Sequence, residues 1–208
     1  MNLQEFFSSY PQIAIAFSGG TDSAYLLYQA KKYAQKVTAY YISTAFQPEF
    51  EKEDAISFCR TYDIPLTILE YDILQHEEIS SNPQNRCYYC KKVIMAQLLS
   101  AARRDGYTIL ADGTNASDDV QDRPGMQALK ELQVLSPLRL CGITKEQLRK
   151  ESELLGLFTA TKPAYACLAT RIQPNTIITC KQLRLVETTE CKLSQMGFYD
   201  FRARLLPN

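Results

Sequence analysis

Short apolar runs rich in β-branched residues recur along the chain, and longer segments with helical periodicity separate them. A short apolar run between polar segments predicts a buried strand. The first such run starts at Ile13, after an amphipathic segment over residues 2–9 that predicts a short helix. Further strands are predicted over residues 37–43, 65–71, 107–111 and 198–206.

The intervening segments predict helices over residues 24–34, 49–62, 87–104, 144–155 and 179–196, and loops over residues 72–86, 115–125 and 162–176. Strands that alternate with helices favour an α/β fold, with a Rossmann-like parallel sheet and helices on both of its faces. The carboxyl ends of parallel strands share one edge of the sheet, where ligands bind. We therefore expect Ser18, Ser43 and residues 112–115 to lie near one another.

Residues 18–23, between the first strand and the next helix, have the sequence Ser-Gly-Gly-Thr-Asp-Ser. Adjacent glycines allow a tight turn, and the first N–H groups of a helix have no partner within it, so the turn predicts an anion site. The phosphate loop of the common NTPases, with its lysine, is not matched. Ser18, Thr21 and Ser23 supply hydroxyls instead, and Asp22 is suited to hold Mg²⁺ bound to phosphates. The alternative is a helix that Ser or Asp caps, with no ligand.

The composition of the chain limits which binding partners, which location and which cysteine chemistry we expect. The 208 residues are enough for one α/β domain and include 23 basic and 23 acidic residues without a long block of one sign, so we expect no nucleic-acid partner. The sequence shows no leader pattern and no apolar run that could span a membrane, so we expect no membrane association and a cytoplasmic location. In a reducing compartment, seven cysteines predict core thiols, metal ligands or reactive thiols instead of disulfides.

Cys87 and Cys90 have the spacing of metal ligands or of a redox pair, and a third cysteine, Cys167, lies in a predicted loop. Three cysteines leave one iron of a cubane cluster open to bind a substrate or an extra sulfide. A zinc-stapled structural site is the alternative, although zinc needs a fourth ligand and the only histidine is His76. The other cysteines are predicted to be ordinary buried thiols: Cys59, Cys141, Cys180 and Cys191.

Residues 18–23 resemble the pyrophosphate loop of the ATP pyrophosphatases. The resemblance implies that ATP is cleaved to AMP and pyrophosphate, with an adenylated substrate between, and that Gly19, Gly20 and their neighbours in the loop bind ATP. Ser43, Asp112 and Thr114 follow predicted strands and are candidates for contact with ATP or its metal ion. The alternative for Asp112 is turn formation by its side chain.

Further segments, in order along nearly the whole chain, resemble the ATP-dependent sulfur transferases of nickel-pincer cofactor synthesis (LarE-like proteins) within that superfamily. They include Asn-Arg-Cys-Tyr-Tyr-Cys-Lys at residues 85–91 and Cys-Leu-Ala-Thr-Arg at residues 167–171. Thr170 stands where the family usually has serine, and it keeps the hydroxyl. The other matching segments are residues 16–23, 112–116, 123–125, 136–138 and 162–172.

This resemblance implies that a carboxylate of a pyridinium dicarboxylate mononucleotide is adenylated and converted to a thiocarboxylate, in two rounds. In some members one cysteine, at the position of Cys167, gives up its sulfur. In others three cysteines hold a 4Fe-4S cluster that carries an extra sulfide, and Cys87, Cys90 and Cys167 match that type. We therefore expect ATP, Mg²⁺ and a 4Fe-4S cluster as cofactors, and a small nucleotide-like carboxylate as substrate.

Several polar residues near these segments are candidates for binding the substrate. Arg86 adjoins Cys87 and is suited to bind a substrate phosphate or to lower a thiol pKa. Surface ion pairs are the alternative for the arginines of the polar loops. The full set of candidates is Arg86, Arg123, Thr170, Arg171, Arg202 and Arg204.

The resemblance covers residues 1–196 as one PP-loop ATP pyrophosphatase domain. The family normally continues into a small C-terminal αβ domain, and residues 197–208 match its start. We expect the rest of that domain to be truncated or missing, and a homo-oligomer where it is present. Two other hypotheses stay open: a cluster-containing tRNA thiolase, which would need a basic face or an RNA-binding domain, and a non-catalytic nucleotide-binding module.

Overall fold

One parallel sheet organises the chain in the computed structural model, which describes residues 1–118 and 124–206. Its strands within these residues are β1 Gln12–Ala16, β2 Lys36–Ser43, β3 Leu66–Glu70 and β4 Leu110–Ala111. Their order across the sheet is β3-β2-β1-β4, and every pairing is parallel. Because β1 pairs on both sides, it is an interior strand. The turn that follows β1 therefore lies at the carboxyl edge, near the middle of the sheet.

The helices of the described residues are α1 Leu3–Ser9, α2 Thr21–Tyr33, α3 Glu49–Thr61, α4 Glu77–Ser80, α5 Arg86–Arg104, α6 Pro124–Glu131, α7 Pro137–Leu140, α8 Lys145–Leu154 and α9 Cys180–Gln195. A capping box begins α8, because Thr144 Oγ1 accepts from the Gln147 N–H and Gln147 Oε1 accepts from the Thr144 N–H. Short 3₁₀ turns span Ile73–Gln75 and Leu168–Arg171. None of the helices described is long and apolar enough to cross a membrane.

The two faces of the sheet are covered by different helices, as the alternation of side chains along a strand requires. Ile13 and Ile15 of β1 pack into one core, which α1, α2 and α3 complete with residues such as Phe58. Ala14 and Ala16 point to the opposite face and join a second core with α5. The prediction of a parallel sheet with helices on both faces is therefore confirmed.

A third apolar cluster lies beneath the loop that carries Cys167. Phe46, Ile79 and Leu168 are buried in it, and Val186 of α9 closes one side. The partly buried Cys90 of α5 and Cys167 of the loop pack against the same apolar cluster.

Four predictions of local structure were wrong. Residues 72–86 contain a 3₁₀ turn and α4 as well as loop, and the strand predicted over residues 107–111 is confined to β4. Helices α6 and α7 were not predicted, since α7 has only four residues and α6 begins inside the predicted loop 115–125. The strand over residues 198–206 does not form, because main-chain groups there bond to Glu190 and Arg171 instead of a neighbouring strand.

Candidate active site

The turn between β1 and α2 is shaped by its two glycines. Gly19 has a φ of +73°, and a Cβ atom there would lie 2.8 Å from the carbonyl oxygen of Glu51. Only glycine satisfies both conditions without strain. Gly20 is the N-cap of α2, and no side chain caps this helix. The interpretation of residues 18–23 as a simple Ser- or Asp-capped helix start is therefore wrong.

The serines of the turn face each other across its mouth. Their hydroxyls, Ser18 Oγ and Ser23 Oγ, are 3.0 Å apart, and Ser23 Oγ also lies 3.2 Å from the carbonyl oxygen of Gly20. Thr21 differs, because its buried hydroxyl donates to the carbonyl oxygen of Thr159 at 2.8 Å. Ser18 and Ser23 are thus available to an anion, whereas Thr21 holds the segment that leads to Cys167.

Asp22 carries a carboxylate that already attracts a cation. Lys145, the first residue of α8, forms an ion pair with Asp22, and Asn115 donates its side-chain amide to the other carboxylate oxygen at 3.4 Å. A partly exposed carboxylate at the mouth of an anion site has the oxygen donors that Mg²⁺ prefers. The Asp22 carboxylate therefore suits the predicted Mg²⁺ ion. Within the protein, the ammonium group of Lys145 supplies the positive charge that pairs with this carboxylate.

Asp112 forms a buried polar cluster where β4 ends. Its carboxylate accepts hydrogen bonds from Thr114 Oγ1 at 2.6 Å and Ser136 Oγ at 2.7 Å, and Lys91 Nζ lies 3.3 Å away. The Thr114 N–H also points to Asp112 Oδ1, at 3.3 Å, so the alternative of turn formation holds for this residue. A Cβ atom on Gly113 would lie 2.7 Å from the Ser23 nitrogen, so this strand end touches the start of α2 directly.

These elements enclose one cleft of about 670 Å³ at the carboxyl edge of the sheet. The phosphate-loop hydroxyls line it together with the side chains of Cys87 and Cys167. Cys87 is exposed, whereas Cys90 lies deeper and does not reach the cleft wall. Of the predicted ATP and sulfur residues, those lining the cleft are Ser18, Gly20, Thr21, Asp22, Ser23, Cys87, Asp112, Thr114 and Cys167.

Cys90 and Cys167 have perturbed pKa values, and neighbouring thiols contribute to both shifts. Burial and, to a smaller extent, the neighbouring Cys167 raise the pKa of Cys90 to about 12. Burial also raises the pKa of Cys167, which the charge of Arg86 partly offsets. Among the described residues, no group of three or more His, Cys, Asp or Glu side chains is arranged to hold a metal ion.

A 4Fe-4S cluster makes a different demand on the protein, because each cysteine binds a separate iron atom of the cubane. Cys87 and Cys167 at the wall of the cleft, together with the deeper Cys90, are three thiols of the kind that such a cluster binds. Cys87 and Cys90 occupy the first turns of α5, and Cys167 approaches from the facing loop. Cysteine thiolates are the donors that such a cluster binds, so the residue types present are compatible with it.

Arg86 and Arg171 are both buried, and their contacts are with the protein. Arg86 donates to Asn82 and to the carbonyl oxygen of Ala169, and its guanidinium reaches to 3.9 Å from Cys87 Sγ. Arg171 donates to both oxygens of Glu190 at 2.9 and 3.0 Å. Neither is among the described residues that line the cleft. Their predicted role in substrate binding stays a prediction.

The remaining predicted residues lie outside the cleft wall. Ser43, at the end of β2, contributes a hydrogen bond that helps to lower the pKa of Glu70. Thr170 is exposed and donates its hydroxyl to the carbonyl oxygen of Cys167 at 2.9 Å. Arg202 and Arg204 are exposed on the last described segment. Arg123 lies outside the described residues.

Sequence reasoning missed several charged residues of the site. Lys145 and Arg149 line the cleft from α8, one helical turn apart, and Glu51 lines it from α3. Lys162 donates to the Gly19 carbonyl oxygen at 3.1 Å and to Asp54 Oδ2 at 2.6 Å. The i, i+4 spacing on α8 was the one sequence signal that places two cations on a common face.

Comparison with known proteins agrees with this geometry. Residues 1–120 match a family described as a PP-loop domain. The uncharacterized protein slr1717 of Synechocystis sp. is 36% identical over 208 residues, which are 98% of this chain and 76% of the relative. A PP-loop domain implies the use of ATP and Mg²⁺.

Two relatives carry names that denote reactions. The pyridinium-3,5-bisthiocarboxylic acid mononucleotide synthase of Lactiplantibacillus plantarum is 27% identical over 195 residues, 93% of this chain and 71% of that protein. The tRNA-specific 2-thiouridylase MnmA of Pseudothermotoga lettingae is 27% identical over 163 residues, 67% of this chain and 46% of that protein.

Proposed function

We propose that this chain, which belongs to the PP-loop domain family, is an ATP-dependent sulfur transferase that converts a carboxylate of a pyridinium dicarboxylate mononucleotide to a thiocarboxylate. One observation carries the proposal. A single cleft is lined both by the phosphate-loop hydroxyls of Ser18 and Ser23 and by the thiols of Cys87 and Cys167. A substrate activated at the loop therefore does not need to leave the cleft to meet sulfur.

The phosphate loop supports the activation step. A substrate carboxylate oxygen attacks the α-phosphorus of ATP, and pyrophosphate leaves. Ser18, Ser23 and the N–H groups at the start of α2 are placed to hold the departing phosphates. Asp22 would hold Mg²⁺, which offsets the charge that develops on the leaving group. Lys145, now paired with Asp22, would be freed to face the phosphates.

The cysteines support the second step. Cys87, Cys90 and Cys167 would hold a 4Fe-4S cluster, whose open iron can carry an extra sulfide. The group would supply sulfide-level sulfur for the carbonyl carbon of the acyl adenylate, with AMP as the leaving group, so that a thiocarboxylate would result. Arg86 lies beside Cys87, and Arg202 and Arg204 are the exposed cations proposed to reach the substrate phosphate.

The first test is the metal content of the chain after purification without oxygen. We expect about four iron and four acid-labile sulfide per chain, with no zinc, and loss of iron in Cys87→Ala, Cys90→Ala and Cys167→Ala. Cys180→Ala is the matched control, because Cys180 is exposed at the start of α9 and away from the cleft. Iron retained in all three cleft variants, or zinc in place of iron, would refute the cluster.

The second test separates sulfur transfer from cluster binding. The chain is incubated with ATP, Mg²⁺ and a pyridinium dicarboxylate mononucleotide, and AMP, pyrophosphate and thiocarboxylate are measured. We expect AMP only when the carboxylate is present. Thiocarboxylate without iron, together with a Cys167 that has lost one sulfur by intact mass, would replace the cluster by a sacrificial cysteine.

The similarity to the tRNA-specific 2-thiouridylase favours a second candidate, sulfur transfer to tRNA. It is weaker, because the chain has no net charge and phosphate-backbone binding needs clustered cations. Incubation with ATP and unmodified tRNA, followed by nucleoside mass spectrometry, distinguishes the two. Thiolated nucleoside in the absence of thiocarboxylate formation would make tRNA the substrate.

A further inference from the structure

We propose that Glu190 is a positioning residue for Cys167 and acts through Arg171. This inference rests on the proposed function, since it gives Cys167 a part in sulfur transfer. Arg171 was expected to bind substrate, but its side chain is 1% exposed, and it donates hydrogen bonds to Glu190 and to backbone carbonyl groups of its own loop. The question is therefore what this buried cation holds in place.

The Arg171 guanidinium fixes the backbone on both sides of Cys167. Its Nη1 atom donates to the carbonyl oxygen of Ala166 and, at 3.2 Å, to that of Cys167. The same nitrogen lies 3.0 Å from Thr170 Oγ1, which itself donates to the Cys167 carbonyl. Because the peptide groups before and after Cys167 share one donor, the position of its Cα atom is tied to Arg171.

Glu190 in turn fixes the guanidinium. Its two oxygens accept from Nε and Nη2 of Arg171 in a bidentate arrangement, the geometry that best orients an arginine. Tyr165 donates its hydroxyl to Glu190 and places its ring 4.5 Å from the centre of the guanidinium. Glu190 lies on α9, a regular helix of 16 residues, so the loop that carries Cys167 takes its position from a helix.

The arrangement of Glu190, Arg171 and Tyr165, here called the clamp, also includes the last described segment. The N–H of Ala203 donates to Glu190 Oε1 at 2.9 Å, and the N–H of Leu205 donates to the Arg171 carbonyl oxygen at 2.9 Å. Cys87 and Cys90 need no such device, because the hydrogen bonds of α5 hold them. The loop cysteine is the one of the three whose position depends on a side-chain ion pair.

The test compares thiol accessibility in the full chain after iron has been removed with a chelator. Iodoacetamide modification of Cys167 is measured relative to Cys87 in the same molecule by peptide mass spectrometry. In Glu190→Gln we expect the rate of Cys167 modification, relative to that of Cys87, to rise roughly tenfold, because the loop opens more often. Arg184→Lys, an exposed arginine of α9, is the control and should leave the ratio unchanged.

Kinetics, measured on variants whose folded fraction has been determined, supply a readout that separates a positioning role from a general weakening of the site. We expect kcat for thiocarboxylate formation to fall roughly 100-fold in Glu190→Gln, because a shift of about 1 Å in a reacting group has that effect, with KM for ATP within about twofold. Arg171→Lys keeps the charge but loses the fork, and should resemble Glu190→Gln. Equal falls in kcat and in ATP affinity would show a general structural role and overturn the proposal.

Tyr165→Phe covers the case in which Glu190→Gln does not fold. It removes one hydroxyl from Glu190, and we expect a smaller change of the modification ratio in the same direction. An unchanged ratio in a folded variant overturns the clamp. If the wild type forms no thiocarboxylate but Glu190→Gln still alters Cys167 modification, the proposed function fails and the clamp stands.

Discussion

Glu51 shows how the cleft perturbs a single side chain. It lines the cleft, where burial raises the pKa of its carboxyl to about 7 although the charge of Lys162 lowers it. Between the ordinary value of 4.5 and this value, the folded chain binds more protons than the unfolded chain. Stability therefore falls as pH rises through this window, and the loss is complete above the folded pKa.

We expect Glu51→Gln to raise the Tm at pH 8 and to change it little at pH 5. The gain in unfolding free energy at pH 8 should be about 1–3 kcal/mol, because the amide cannot ionise. Thermal unfolding at the two pH values measures it, and Glu53→Gln on the exposed side of α3 is the control. Equal shifts of Tm at both pH values would show that the carboxyl is not the cause.

Gly113 allows β4 to touch the phosphate loop. A methyl group there would lie 2.7 Å from the Ser23 nitrogen and 2.9 Å from its Cα atom, and neither backbone atom can move aside. We expect Gly113→Ala to destabilise the chain by about 1–3 kcal/mol and to weaken ATP binding at least about tenfold. Urea unfolding and calorimetric ATP titration measure the two effects.

Gly125→Ala is the matched control for this prediction. Its nearest neighbour is the flexible side chain of Lys91, at 3.4 Å, so the added methyl group is accommodated. Normal ATP affinity in Gly113→Ala would mean that the strand end can shift without disturbing the loop.

The helix α8 is held at its start by a local signal. Thr144 accepts from the Gln147 N–H, and Gln147 bonds back to the N-cap, so two helix N–H groups are satisfied. We expect Thr144→Ala to lower the unfolding free energy by about 1 kcal/mol. Its urea midpoint should fall, whereas Thr188→Ala, an exposed threonine within α9, should leave the midpoint nearly unchanged.

A further consequence of the Thr144 cap concerns the site. Lys145 follows it directly and pairs with Asp22, so fraying of the first turn should also weaken this ion pair. We expect a modest loss of ATP affinity in Thr144→Ala. Unchanged affinity at an altered urea midpoint would show that the pair survives without the cap.

Elements with strong periodicity or local chemistry were predictable from the sequence. Local sequence patterns are enough to predict the strands β1 and β2, the long helix α5 and the capped starts of α8 and α9. The helices α6 and α7 contain too few residues for a helical pattern of hydrophobic positions to be recognised in the sequence. The last segment was predicted as a strand because its side chains alternate, yet its backbone partners are a carboxylate and a carbonyl.

The candidate site was predictable only where one segment contains it. Residues 18–23 and the pair Cys87 and Cys90 are such segments. The partnership of Arg171 with Glu190 joins residues 19 apart, and Asp22 with Lys145 joins residues 123 apart. No local pattern specifies such pairs, because they depend on how the helices pack.

Lys162 joins three distant parts of the molecule. It belongs to the segment before Cys167, and it bonds to Gly19 of the phosphate loop and to Asp54 of α3. Only 13% of its side chain is exposed, so its removal leaves two oxygen acceptors without their donor in a partly buried place.

We expect Lys162→Met to lower the unfolding free energy by about 1–3 kcal/mol and to weaken ATP binding, because the loop loses a support. Lys31→Met is the control, since the ion pair of Lys31 with Asp63 is on the surface and such pairs contribute little. Chemical unfolding of both variants measures the difference. Equal and negligible effects would mean that Lys162 is only a surface charge.

The long separations within the site also set when it can form. Ribosomes add about 5–20 residues per second, and N-terminal parts of a chain fold first. The last strand of the described sheet ends at Ala111, yet the hydroxyl of Thr21 bonds to Thr159 and the carboxylate of Asp22 to Lys145. We therefore expect a nascent chain to pair its sheet before the cleft is complete, and the ability to bind ATP to appear late in synthesis.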